Sequence, residues 1–178
     1  MSPQYLFVLV NVIGGVAVIG GYVLGLSMYS EHREALWGGV QGNLRNAFTT
    51  SMLLAATGYL TFCFGTIFKG GADEFGVNQI FGQYSLSILS AIFLISASLW
   101  MPTTIAFVHT GVSYWWGIAV FSLWITALSL LWMTAMVASS DVQSISGIIK
   151  YSALIGLAYI TFHCMILDAV SWVWLFNK

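Results

Sequence analysis

Residues 84–138 read YSLSILSAIFLISASLWMPTTIAFVHTGVSYWWGIAVFSLWITALSLLWMTAMVA, a run of 55 residues without one Asp, Glu, Lys or Arg. An α-helix rises about 1.5 Å per residue and a bilayer core is roughly 30 Å thick, so about 20 apolar residues make one crossing. The run is therefore too long for one crossing. It is broken at its middle by His109-Thr110-Gly111, polar and glycine-containing, which predicts two antiparallel helices, 84–108 and 112–138, joined in a tight hairpin. Working outward, three more segments have the length and apolar character of spans: 5–29, 47–68 and 148–176. The predicted fold is an all-α integral membrane protein, a five-transmembrane-helix bundle in a single domain, with connections at 30–46, 69–83, 109–111 and 139–147. Trp and Tyr gather at headgroup depth. Tyr5, Tyr29, Tyr84, Tyr114, Trp115, Trp116, Tyr151, Trp172 and Trp174 all fall near the predicted ends. The connection 30–46 has room for one short interfacial helical turn.

Composition demands the same solvent. The chain of 178 residues is 59% hydrophobic, 16% aromatic and 6% charged, against roughly 25% charged in an ordinary soluble domain. So few charges leave a water-facing surface largely apolar, which soluble monomers avoid. Five scattered Lys and Arg and a net charge of −1 argue against nucleic acid as a partner, since phosphate binding needs clustered basic residues. Cys63 and Cys164 have no CxxC spacing and are expected at different depths, so both should be free thiols. The N-terminal stretch lacks a basic leader and reads as the first span.

Five crossings place the chain ends on opposite sides. The N-terminal side, side A, holds Lys69 and Lys150; side B holds Arg33, Arg45 and Lys178. Three basic residues against two favour side B, with the C-terminus, as cytoplasmic.

Helices immersed in lipid associate through small residues that let backbones approach. Gly21 and Gly25 form a GxxxG pair beside Ala17 in the first helix, expected to pack inside the bundle or against a second copy. Ser85, Ser87, Ser90, Ala91, Ala97 and Ser98 make the third helix narrow. Pro102 removes one backbone donor and should kink that helix just after Trp100.

Polar groups in the spans are few. Asp168 is the one acid inside a predicted span, where a carboxylate costs at least about 2.5–3.5 kcal/mol at the bilayer centre unless paired, protonated or hydrated. With Trp172 and Trp174 taken as the side-B interface, it lies roughly 6–9 Å inward. Arg45 and His109 are the expected partners, and an Arg45–Asp168 ion pair is the leading expectation. His163 falls near the middle of the fifth helix, about 22 Å along the axis from residue 148. It could satisfy a neighbouring helix, relay protons or ligate a chlorophyll. A bis-histidine haem is disfavoured, because His109 sits at another depth. Five residues on a regular helix turn through about 140°, so His163 and Asp168 are not expected to share a face. Trp116, Trp124 and Trp132 recur every eight residues along an oblique stripe of the fourth helix.

Five helices, this length and eight tryptophans resemble in architecture the tryptophan-rich sensory and translocator proteins, which bind tetrapyrroles and sterols. The proline- and tryptophan-rich first loop of that family has no counterpart in 30–46, so no binding residue is carried over. No cofactor motif is present; a tetrapyrrole or a lipid is compatible without being indicated by one. The leading expectation is a membrane protein that binds or transports a small apolar or planar ligand near Trp100, Pro102, Trp124, His163 and Asp168. Alternatives are a structural or accessory subunit packing against other membrane subunits or a second copy, and, third, an intramembrane enzyme. For the last, His109, Asp168 and a nearby serine are the candidates, and no motif ties them together. No metal site and no catalytic residue is assigned.

Overall fold

The computed structural model describes residues 1–30, 33–75, 81–141 and 145–176. Five of its helices are long and apolar enough to cross a membrane. They are α1 (Pro3–Met28), α2 (Gly42–Phe68), α4 (Ser85–Thr110, extended at its start by a 3₁₀ turn from Gly82), α5 (Ser113–Ser139) and a fifth helix running from Gly147 to Phe176. The last is composite: α6 (Gly147–Phe162), a π-helical segment (His163–Trp172) and α7 (Val173–Phe176). One further short helix, α3 (Gly71–Glu74), follows α2. Lys178, counted above on side B, lies outside the described residues, as do parts of the connections 30–46, 69–83 and 139–147.

The hairpin is formed, with its turn at Gly111 and Val112, because α4 runs on through His109 and Thr110 of the expected 109–111 break. Gly111 caps α4 in the left-handed region at φ 70°, its N–H on the Phe107 carbonyl, a conformation that glycine adopts without a Cβ clash. Pro102 sits inside α4 and brings no N–H to its ladder, while the hydroxyls of Thr103 and Thr104 donate to the carbonyls of Leu99 and Trp100 at 2.7 and 2.8 Å.

In space the helices follow the order α1, α4, α5, α6, α2. Hydroxyl pairs tie neighbours together, Ser96 to Thr126 at 2.8 Å between α4 and α5 and Thr134 to Thr161 at 2.9 Å between α5 and α6. The arc is brought round on side A, where Gln4 donates to the Ile67 carbonyl at 2.7 Å, Tyr59 donates to Asn11 at 2.7 Å, and Phe7 meets Phe62 edge-on.

The closest approach lies between α2 and the fifth helix. A Cβ added to Gly58 would stand 2.7 Å from the Gly156 carbonyl oxygen, and one on Gly156 would press still harder on Gly58. Seven residues towards side B, Ser51 meets His163; seven towards side A, Gly65 faces Ile149. The two antiparallel helices thus meet every second turn, the spacing at which one face returns. On α2 the contacts fall on Ser51, Gly58 and Gly65, all small.

Within this chain only one member of the GxxxG pair of α1 packs against another helix. Gly25 is buried against Met101 and Ile105 of α4 and Gly14 packs against Leu94, whereas Gly21 has nothing within 4 Å of where its Cβ would be. The packing seam therefore joins Gly14 to Gly25, eleven residues or about three turns apart.

On side B the connection folds back over the bundle. A 3₁₀ turn at Ala35–Trp37 buries Leu36, whose carbonyl accepts from Trp172 Nε1 at 3.0 Å. Gly38, at φ 54°, and Gly39 lie against the backbone of Phe176 and Leu175. Trp172 is consequently a buried anchor for this loop and not an interfacial marker; Trp174 keeps the exposed position.

Candidate functional site

His163 and Asp168 do meet, against the expectation from a regular helix. In a π-helix the hydrogen bonds run between residues five apart, which brings side chains at that spacing onto one face. His163 Nε2 and Asp168 Oδ1 stand 3.6 Å apart within the π segment. Ser171 shows the same spacing, its hydroxyl donating to the Ile166 carbonyl at 2.7 Å. The rotation of about 140° assumed above fails because the helix changes its period where these residues occur.

From this pair a polar chain leads to α2. His163 Nδ1 lies 2.9 Å from Ser51 Oγ, which is 3.1 Å from the Tyr159 hydroxyl. A neutral imidazole donates from one nitrogen and accepts at the other. The chain is satisfied when Tyr159 donates to Ser51, Ser51 donates to Nδ1, and Nε2–H faces the carboxylate. Both ring nitrogens then face protein partners, so metal ligation of a tetrapyrrole by His163 would first require breaking one of these contacts. Among the described residues no group of three or more His, Cys, Asp or Glu is arranged to hold a metal ion.

His163 and Ser51 are buried, but the Asp168 side chain keeps 31% of its surface accessible. It is therefore not sealed inside the bundle, and Tyr22 of α1 lies in the same side-B half. Tyr22 leads to an aromatic cluster. Its ring packs 5.7 Å from Trp100, which lies 5.4 Å from Trp172; Trp116 stacks on Phe176 at 4.6 Å and touches Trp172 at 5.5 Å. Trp100 Nε1 is buried and has no hydrogen-bond partner among the described residues. An unmet indole N–H in an apolar surround is costly, by about 1–3 kcal/mol.

The expected ion pair between Arg45 and Asp168 is not formed. Arg45 Nη1 binds Glu34 at 2.8 Å and the guanidinium lies 4.6 Å over the Trp37 ring. The folded-back connection supplies a nearer carboxylate, at the helix end where Arg45 stays hydrated. Because Glu34 is largely exposed, Arg45→Gln should cost only about 0.2–1 kcal/mol, read as a small shift in unfolding midpoint; a loss of several kcal/mol would contradict this placement.

The remaining expected residues separate. Trp124 and Trp132 point outwards, 38% and 44% exposed, while Trp116 joins the interior cluster, so the eight-residue stripe divides between two surroundings. Pro102 is exposed and lines an outer groove between α1 and α4. His163 and Asp168 thus meet, Trp100 belongs to the aromatic cluster around Trp172, and Trp124 and Pro102 face outwards. Ser51 and Tyr159 are partners that the sequence reading did not single out. The small residues at 51, 58 and 65 are the signal that could have marked this face of α2. Both cysteines are free and buried, Cys63 with its thiol 3.7 Å from Asn11 Oδ1.

Comparisons with protein-family models, with curated proteins and with solved structures give no match, and the functional reading rests on this chain's own geometry.

Proposed function

We propose that the chain is a multi-pass membrane protein that binds a small, largely apolar molecule in its side-B half and couples binding to proton exchange at Asp168. The observation that carries this reading is the Ser51–His163–Asp168 chain set among apolar helices. A purely structural carboxylate in a membrane is best held by a fixed cation. Here its partner is a histidine, whose charge is not fixed, and the acid keeps 31% of its side-chain surface accessible. π-helical turns in otherwise regular helices also concentrate at functional sites. The Tyr22, Trp100 and Trp172 rings lie in the same half of the bundle, so the favoured ligand is planar or apolar.

Thermal stabilisation in detergent by individual lipids, sterols and porphyrins, measured at acid and neutral pH, tests this. The expected result is a pH-dependent shift with at least one compound, lost in Asp168→Asn. A response absent for every compound, or unaltered by the substitution, would overturn it.

A second reading is favoured by the order of the same three groups: hydroxyl, imidazole, carboxylate, as in acyl transfer by an activated serine. Labelling by a fluorophosphonate at Ser51, abolished in His163→Ala, would support a hydrolase. A wild-type chain that stays unlabelled in membranes excludes it.

A further inference from the structure

Among the described residues, the groove between α1 and α4 is lined by none of Ser51, His163 and Asp168. It encloses about 430 Å³ and is lined by Gly21, Gly25 and Met28 on one wall and Pro102 and Ala106 on the other, with His109 and Thr110 at its side-B end. It exists because Gly21 leaves open the space that a side chain would fill, opposite a proline and an alanine. Along α4 the lining from Pro102 to Thr110 covers about 12 Å, most of one leaflet's share of the roughly 30 Å hydrocarbon core.

We propose that this groove holds an acyl chain of an anionic phospholipid from the side-B leaflet, its head group resting against Arg33 and His109. The proposal rests on the membrane reading above and not on the Asp168 chemistry. At this depth an apolar groove open to the side does not hold water, and a lipid chain is the molecule that lies against it. The polar residues are gathered at one end, His109 and Thr110 with Tyr29 and Trp115, where Tyr and Trp meet head groups. Charge then selects the head group. Arg33 Nε donates to the Leu26 carbonyl at 2.7 Å, which anchors its guanidinium at the side-B end of α1. Among the described residues none that lines the groove is acidic.

The test uses the full chain, extracted in mild detergent and exchanged into bicelles containing equal amounts of phosphatidylglycerol and phosphatidylcholine with identical chains. Native mass spectrometry then reads the lipid retained. One phosphatidylglycerol per chain is expected, preferred about fivefold, the worth of one basic side chain near an anionic surface. Gly21→Leu, which places a side chain in the groove, should abolish retention without lowering the unfolding temperature, and Ala106→Leu provides the same block from the facing helix. Arg33→Gln should keep a lipid but remove the preference. Equal retention in both leucine variants, or no preference in the wild type, would overturn the proposal. Failure of the membrane reading has its own signature, a chain that stays monodisperse after detergent is withdrawn. Failure of the Asp168 reading leaves lipid retention untouched.

Discussion

Gly156→Val is expected to destabilise the protein by about 3 kcal/mol, at the upper end of overpacking effects. What its side chain would meet is the carbonyl and Cα of Gly58, backbone on both sides. A flexible neighbour could rotate away; a main chain can only translate. Parting α2 from the fifth helix at this crossing also lengthens the contacts seven residues to either side, Ser51 with His163 and Gly65 with Ile149. Gly58→Val should behave alike. Gly21→Ala is the control, because nothing lies within 4 Å of its added Cβ, and its effect should stay within about 0.5 kcal/mol. Unfolding in mixed micelles, followed by circular dichroism from equal starting helicity, measures all three. Equal stability of Gly156→Val and Gly21→Ala would mean that the crossing contributes nothing.

That contrast also shows which parts of the fold were legible in the sequence. Five helices follow from the length of apolar runs, because the hydrocarbon thickness is a ruler applied to each segment alone. The hairpin follows from a polar glycine break with no room for a loop. Which helix lies beside which is a relation between segments, and the apolar faces of these helices carry little periodic signal to report it. The GxxxG pair points to Gly21 and Gly25, and within this chain only Gly25 packs against another helix. The decisive small residues, Ser51, Gly58 and Gly65, recur every seven positions, and Gly58 acquires meaning only once Gly156 is set opposite it.

The candidate site was legible as a list of types and illegible as geometry. Asp168 and His163 were conspicuous because ionisable groups among apolar residues are expensive. Their relation was misjudged because a period of 3.6 residues was extended across a stretch that is π-helical from His163 to Trp172, with no proline or glycine inside it to announce the change. Depth alone pairs Arg45 with Asp168, whereas the connection folds back and presents Glu34.

His163→Leu should destabilise the protein by about 2–3 kcal/mol, since it removes one contact from each of two neighbours and leaves Ser51 and Asp168 facing an apolar side chain. The informative quantity is what happens next. If Asp168 depends on His163, then adding Asp168→Asn in the leucine background should cost much less than it does alone, or even restore stability, because the uncompensated carboxylate is gone. A double-mutant cycle should therefore give a coupling of about 1 kcal/mol or more, as for residues in one polar network. Arg45→Gln serves as the third arm. Bound to Glu34 and stacked on Trp37, Arg45 should combine additively with Asp168→Asn, within about 0.5 kcal/mol. Coupling of Asp168 to Arg45 and none to His163 would reverse the assignment, restoring the ion pair first expected from depth and removing the ground for a proton-linked site. Coupling to His163 together with a pH-dependent ligand response that disappears in Asp168→Asn would tie the stability of the π segment to its chemistry, since the same 3.6 Å approach then underlies both.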